Sequence, residues 1–254
     1  MSRKLLVLPL LLFPIFLNAQ FFKIYPYMTP EAGEKELVYW FSATGSDHQY
    51  SFFGENTDRQ GLLAHSLELE YGLSNKWTAG LYLDFEHPDG HSLKHVATKA
   101  LMFHGRFWEK GERPVDLGLY VEYILPRKSY KNGEQIEIKW ILEKDFGFNS
   151  FVLNPTFEKV ISGPDADEGV ELAINGGWYY KKSLKFQPGV EFYSKWGELQ
   201  DLSPVNNSKT YIFPAIDIIF GTHGRITWHT GAGFGLTDPA DNFVFKSIIS
   251  IGFF

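Results

Sequence analysis

The chain lacks cysteine, an excess of basic residues and any apolar run long enough to cross a bilayer as a helix. Without cysteine among its 254 residues, there can be no disulfide scaffold, no thiolate-bound metal, no cysteine nucleophile and no lipid-modified cysteine anchor. The 24 basic residues are outnumbered by 30 acidic ones, which argues against a nucleic-acid partner because such a partner needs a basic face. Hydrophobic residues make up 44% of the chain, so it is not mostly disordered.

The first residues have the layout of a secretory signal peptide. Arg3 and Lys4 precede an apolar run of about 13 residues, well short of the roughly 20 that a spanning helix needs. Ala19 supplies a small residue at a plausible cleavage point. We therefore predict a signal peptide over 1–19 and an exported domain over 20–254.

Beyond this segment, apolar and polar residues alternate with a period of two, which is typical of β-strands. Between Leu63 and Leu73, for example, leucines fall on one face and two glutamates on the other. About twelve such runs of about ten residues, with no helical period between them, predict one all-β domain. The predicted strands cover 35–44, 63–73, 77–86, 95–107, 115–125, 135–146, 148–160, 169–181, 184–197, 209–220, 224–236 and 243–254.

Two all-β architectures alternate in this way. In a soluble sandwich the apolar face forms the core, whereas in a transmembrane barrel it meets lipid and the polar face lines the interior. Strands near ten residues, aromatic residues near strand ends and alternating long and short connections favour a transmembrane antiparallel up-and-down β-barrel of about 12 strands. The predicted long connections are 45–60, 87–94, 126–134, 161–168, 198–208 and 237–242, and the short ones are 74–76, 108–113, 147, 183 and 221–223.

Such a barrel belongs in the outer membrane of a Gram-negative bacterium, with outer-membrane lipid around it. The chain ends in Phe253-Phe254, and a terminal aromatic residue resembles the signal that the barrel-assembly machinery recognises. Phe253 shares the more apolar face of the last strand with Phe243 and Phe245, and strict alternation would place Phe254 on the other face. A terminal aromatic on either face stays an open alternative.

The polar face of each strand is predicted to line the lumen, where acids exceed bases about two to one. Buried charges must be paired or solvated, so the lumen is either filled by ion pairs or a water-filled path that weakly prefers cations. Twelve strands lie between the filled barrels of eight and the open ones of 16 to 18. The predicted lumen-lining residues are Glu68, Glu70, Asp84, Asp116, Glu122, Glu137, Lys139, Glu171, Lys185, Glu191, Asp217 and Arg225.

A metal site is weakly suggested by His87, His91 and His95, since imidazole is a suitable ligand for zinc, copper or nickel. This spacing shares one face only in a helix, and Pro88 and Gly90 predict a turn instead. We therefore predict no metal and no cofactor. Motifs of serine hydrolases, zinc proteases and phosphate-binding loops are absent from the sequence, so we predict that the chain is not an enzyme.

Two segments carry a family resemblance: Pro30-Glu31-Ala32-Gly33-Glu34 and the hairpin Glu70-Tyr71-Gly72-Leu73-Ser74-Asn75-Lys76. Together they look like a set of bacterial outer-membrane barrels with a Glu-Tyr-Gly-Leu-(Thr/Ser)-(Asp/Asn)-(Arg/Lys) hairpin. This hairpin is similar to that of the phenol-degradation (meta-pathway) outer-membrane proteins. The resemblance covers the first third of the chain and implies passage of a small or hydrophobic molecule, with no catalytic residues.

The sequence thus predicts a passive channel or binding barrel for a small-molecule solute. The alternative is a structural or assembly barrel with a filled lumen that acts through its loops and partner proteins, and a lipid-modifying barrel enzyme comes third.

Overall fold

The computed structural model describes residues 22–131, 133–221 and 225–254, so the predicted signal peptide over 1–19 lies outside the described residues. Strands account for most of this part of the chain. None of the described residues belongs to a helix that is both long and apolar enough to span a membrane. The strands are β1 (Lys35–Gly45), β2 (Gln49–Phe52), β3 (Glu55–Asp58), β4 (Leu63–Ser74), β5 (Trp77–His87), β6 (Lys94–Arg106), β7 (Asp116–Pro126), β8 (Gln135–Phe146), β9 (Asn149–Val160), β10 (Glu171–Tyr180), β11 (Phe186–Glu198), β12 (Lys209–Phe220), β13 (Ile226–Gly235) and β14 (Phe243–Phe253).

Twelve of these strands, β1 and β4 to β14, form one closed antiparallel barrel in chain order. The wall closes because β1 pairs on both sides, with Lys35 opposite Tyr71 of β4 and opposite Phe253 of β14. The short strands β2 and β3 form a separate hairpin in the first long connection. The predicted fold class and strand number are confirmed, and strand ends differ from the predicted ones by two residues or fewer.

The wall has the inverted pattern of a barrel in lipid. Leu67, Leu69 and Leu81 point outward with 43%, 52% and 51% of their surface exposed, whereas Glu68 and Glu70 between them are 3% and 4% exposed. Successive side chains of a strand face opposite ways, so the period of two in the sequence places the apolar set outside and the acidic set inside. A sandwich would bury the leucines.

The two ends of the barrel differ in their connections. At one end, called here the short-turn end, β1 begins and β14 ends. At the other, the long-loop end, the first connection carries the β2–β3 hairpin. The connection 107–115 at the short-turn end is longer than the predicted 108–113. The short-turn end has connections 75–76, 107–115, 147–148, 181–185 and 221–225, and the long-loop end has 46–62, 88–93, 127–134, 161–170, 199–208 and 236–242.

Candidate site in the barrel lumen

The lumen contains a stretch of chain that belongs to no strand. Residues 22–30, called here the lumen segment, precede β1 and run back into the barrel. At the short-turn end, the backbone N–H of Ala32 donates to Asn75 Oδ1 at 3.0 Å. Farther in, Phe22 and Tyr27 are 4% and 1% exposed. The barrel is therefore occupied along much of its length by its own N-terminal residues.

Side chains of the wall satisfy the backbone of the lumen segment. The N–H of Tyr25 donates to Asn154 Oδ1 at 2.7 Å, and Asn154 Nδ2 donates to the Tyr25 carbonyl at 3.1 Å. The N–H of Tyr27 donates to Glu143 Oε2 at 2.8 Å, and its hydroxyl donates to the carbonyl of Trp108. Buried backbone groups need such partners, so Asn154 and Glu143 position the segment.

Aromatic side chains pack around the inner end of the lumen segment. The ring of Phe22 lies 4.7 Å from that of Phe213, 4.9 Å from Tyr211 and 5.0 Å from Tyr193, measured between centroids. A Cβ at Gly233 would lie 2.1 Å from the Phe213 ring, so this strand position needs glycine. The wall is shaped to hold a bulky cluster here.

A buried ion pair joins this cluster to the wall. Glu191 is 0% exposed and accepts hydrogen bonds from the hydroxyls of Tyr179 at 2.6 Å and Tyr193 at 2.8 Å. Lys246, which is 2% exposed, donates to the same carboxylate and also to the Phe22 carbonyl at 3.1 Å. Lys246 therefore links the wall network to the backbone of the lumen segment.

Further lysines pair with the lumen acids. Lys99 Nζ lies 3.1 Å from Asp84 Oδ2, and Lys139 Nζ lies 3.0 Å from Glu137 Oε1. The Lys139 ammonium also lies 3.8 Å from the centre of the Tyr25 ring, a favourable cation–π geometry. The charged side chains of the interior are thus largely paired with one another, as expected of a filled lumen.

Most of the predicted lumen residues face inward, but Lys185 does not. Lys185 is exposed in the turn 181–185, because β11 begins at Phe186 and not at residue 184. Arg225 lies at the rim of the short-turn end, where it lines a lumen cavity with Glu36 and Glu70 and its guanidinium lies 4.9 Å from the ring of Phe254. The inward-facing acids and base that are buried are Glu68, Glu70, Asp84, Asp116, Glu122, Lys139 and Glu191, and those that are half-buried are Glu137, Glu171 and Asp217.

Several lumen cations were missed by the sequence analysis, including Lys195, whose ammonium pairs with Glu171. Lys23 belongs to the lumen segment, for which no strand was predicted. Lys99 lies in β6, whose pairing with β5 and β7 shifts at three irregularities that obscure the alternation. Lys246 lies on the lumen face of β14 between buried Val244 and Ile248, so its face did not look polar. The predicted two-to-one excess of acids was therefore too large.

His87, His91 and His95 do not converge. His91 packs its ring 5.5 Å from Phe52, and His95 lies 5.4 Å from the ring of Phe85 on the outer face. Across the described ranges, no three histidine, aspartate or glutamate side chains form a group that could hold a metal ion. His87 is likewise not part of any such group.

The first long connection covers the long-loop end. Tyr50 of the β2–β3 hairpin and Tyr130 both donate to Glu86, at 3.1 and 2.6 Å. Arg59 makes two hydrogen bonds, of 2.7 and 2.8 Å, to Asp241 in the last long connection. Burial raises the pKa of Asp241, but the hydrogen bonds and charge of Arg59 outweigh burial and hold that pKa below its ordinary value. The Arg59–Asp241 pair, called here the latch, joins the first and last long connections.

Open space remains beside the lumen segment. Two cavities of about 250 and 270 Å³ open toward the short-turn end. Both are lined by Lys23, Pro26, Glu36, Thr227 and Ser250, so they flank the segment. The lumen is therefore divided by the segment and is not packed solid around it.

Neither a protein-family model nor a curated protein matches this sequence. Solved structures do. The COG4313 outer membrane channel from Pseudomonas putida F1 is 14% identical and superposes with a TM-score of 0.63 over 91% of this chain and 100% of that one. The chain has the fold of outer-membrane β-barrel channels. The KdgM porin, solved in complex with disordered oligogalacturonate, is 8% identical with a TM-score of 0.57, over 86% of this chain and 99% of that one.

Proposed function

We propose that this protein is a channel for small solutes in the outer membrane of a Gram-negative bacterium, closed in this structure by its lumen segment. The carrying observation is that residues 22–30, which lie outside the wall, occupy the lumen. The apolar outer belt and the similarity to channel folds support the location and the class. We also propose kinship with the barrels whose first hairpin it resembles, including those of phenol degradation.

The contacts of the lumen segment suit a removable plug. Each wall strand pairs with a neighbouring strand on both sides, whereas the segment is held by separate hydrogen bonds with side chains such as Asn154, Glu143 and Lys246. A typical hydrogen bond contributes only about 0.5–1.5 kcal/mol net and one with a charged group about 1.5–3 kcal/mol, so a few of them can be exchanged for water. The wall can keep its closed shape when the segment leaves.

Planar-bilayer recording on the refolded protein tests the proposal. Deleting residues 22–30 should give a stable open conductance, while the full chain should stay mostly closed. The chain has no cysteine, so the double variant Tyr25→Cys with Asn154→Cys introduces a single pair of cysteines, one in the lumen segment and one in the wall. This pair should lock the segment under oxidising conditions and release it with reductant, which provides a reversible matched control.

A folded deletion variant that never conducts would contradict the channel. That result would favour the alternative, a structural or assembly barrel that acts through its loops and partner proteins. The paired lumen charges are the specific observation in favour of this second function.

Recognition by the barrel-assembly machinery through Phe254 is also proposed. Phe253 is outward-facing and 40% exposed, while Phe254 follows the strand and is 60% exposed at the short-turn end. Both rings are accessible to a partner at this edge. Phe254→Ala should slow assembly in cells without lowering the stability of the refolded barrel, and an equal loss of both would argue for a purely structural role.

A further inference from the structure

The side chain of Lys23 occupies a pocket built by strands β1 and β4. Its ammonium lies 3.3 Å from Glu68 Oε2 and 4.7 Å from the centre of the Trp40 ring. Both wall residues are 3% exposed, so the contacts are shielded from bulk water. A carboxylate together with the face of a tryptophan is a combination that binds ammonium groups.

Three wall acids gather at this place, and the wall lysine near them, Lys99, is already paired with Asp84. Glu36 of β1 and Glu70 of β4 are direct register partners, and Glu68 lies one lumen-facing position farther along β4. Like charges directly opposite one another on antiparallel strands are destabilising. Tyr82 donates to Glu70 at 2.6 Å, but a hydroxyl brings no positive charge. The pocket is therefore built for a cation, and the lumen segment supplies one.

Space for a larger cation adjoins the ammonium. The cavity of about 250 Å³ beside Lys23 has an apolar wall formed by Val38, Val152 and Ile248. Glu36 lines the same cavity. An amine with a short apolar body would place its charge at the carboxylates and its carbon chain against this wall. The lysine side chain is itself a four-carbon alkylammonium, so the lumen segment displays the chemistry of such a ligand.

We propose that the pocket of Glu36, Trp40, Glu68 and Glu70 binds small organic ammonium solutes, and that Lys23 is a tethered occupant which such a solute displaces. The proposal rests on the proposed channel function, since displacement of Lys23 would loosen the lumen segment. A solute that binds better when the segment is out shifts the population toward the open barrel. Binding and opening are then two readouts of one competition.

A chemical-rescue experiment tests the pocket without any need for conductance. In Lys23→Ala the tethered ammonium is gone, and n-butylammonium chloride should raise the midpoint of thermal unfolding in a saturable way. The full native chain should need at least tenfold more n-butylammonium, because Lys23 competes. Uncharged n-butanol should have no saturable effect, and sodium chloride at equal ionic strength is the salt control.

Adding Glu68→Gln to the Lys23→Ala chain should weaken the apparent affinity for n-butylammonium at least tenfold. An unchanged affinity in that double variant, or equal affinity in the native chain, would place the amine elsewhere and overturn the proposal. If Lys23→Ala does not fold, the variant lacking residues 22–30 presents the same empty pocket. A barrel that binds the amine but never conducts would refute the channel alone.

Discussion

Replacement of Lys246 by methionine is expected to be among the most damaging single changes in the lumen. Lys246 and Glu191 are 2% and 0% exposed, so removal of the ammonium leaves a carboxylate that water cannot reach. Breaking a buried ion pair from one side costs about 3–5 kcal/mol. His229 Nε2, 3.2 Å from Glu191, offsets part of that cost once it is protonated. Urea unfolding of the barrel refolded into lipid vesicles measures the free energy of unfolding.

A double-mutant cycle separates the pair from general damage. Glu191→Gln with Lys246→Met should be less destabilised than the sum of the single changes, with a coupling energy of about 0.5–3 kcal/mol. Lys182→Met, an exposed turn position, should change stability by no more than about 0.5 kcal/mol. A loss below about 1 kcal/mol in Lys246→Met would mean that water already solvates Glu191, and it would refute the paired lumen.

Three further outcomes are expected. Leu67→Arg places a cation on the lipid face near mid-strand and should destabilise the barrel by about 2–4 kcal/mol, whereas a loss near zero would argue against lipid contact. A protease site inserted at Asn56 should be cleaved on intact cells and one at Lys182 should not, and reversed accessibility would invert the topology. Because the pKa of Asp241 is lower in the folded protein than the ordinary value of about 4, ionised Asp241 stabilises the contact between the two loops above about pH 4. This stabilisation is lost as the pH falls through the lower pKa of the folded protein. Below about pH 4, pepsin should cleave the 46–62 loop of the native chain at a rate approaching that of the Asp241→Asn variant. If the ratio of these two cleavage rates is the same at every pH, the ion pair between the loops does not titrate.

The wall could be predicted because lipid contact and strand geometry constrain the residue type at each successive position of a strand. In β4, the outward positions are apolar except for His65, and the inward positions are small or acidic, so the alternation marks the strand clearly. Where the geometry is interrupted, the prediction fails. The register shifts of β6 hid Lys99, and a two-residue error at the start of β11 put Lys185 inside.

The lumen segment could not be predicted from local pattern. Residues 22–30 show no period of two, and the hydrogen-bond partner of Tyr25 is Asn154, far away in the sequence. The local sequence of residues 22–30 gives no information about the energy of that contact or about the space in the barrel that receives it. The available signal was composition: an aromatic, proline-broken stretch with one lysine, placed just before the first strand of a barrel with an acidic interior.

The lumen segment also bears on the order of assembly. It leads directly into β1, the strand that closes the wall by pairing with β14. Lys23 contacts β1 and β4, but the partners of Phe22, Tyr25 and Tyr27 include residues of β8, β9, β11, β12 and β14. Contacts between the first and last parts of a chain form slowly, because a long loop must be closed before they are gained. The strands on the far side of the barrel must therefore form before the segment can pack against them. Pairing of β1 with β14 and packing of the segment in the lumen then occur together, late in folding. A nascent barrel would remain open on one side, with a hydrated interior, until its last strand arrived.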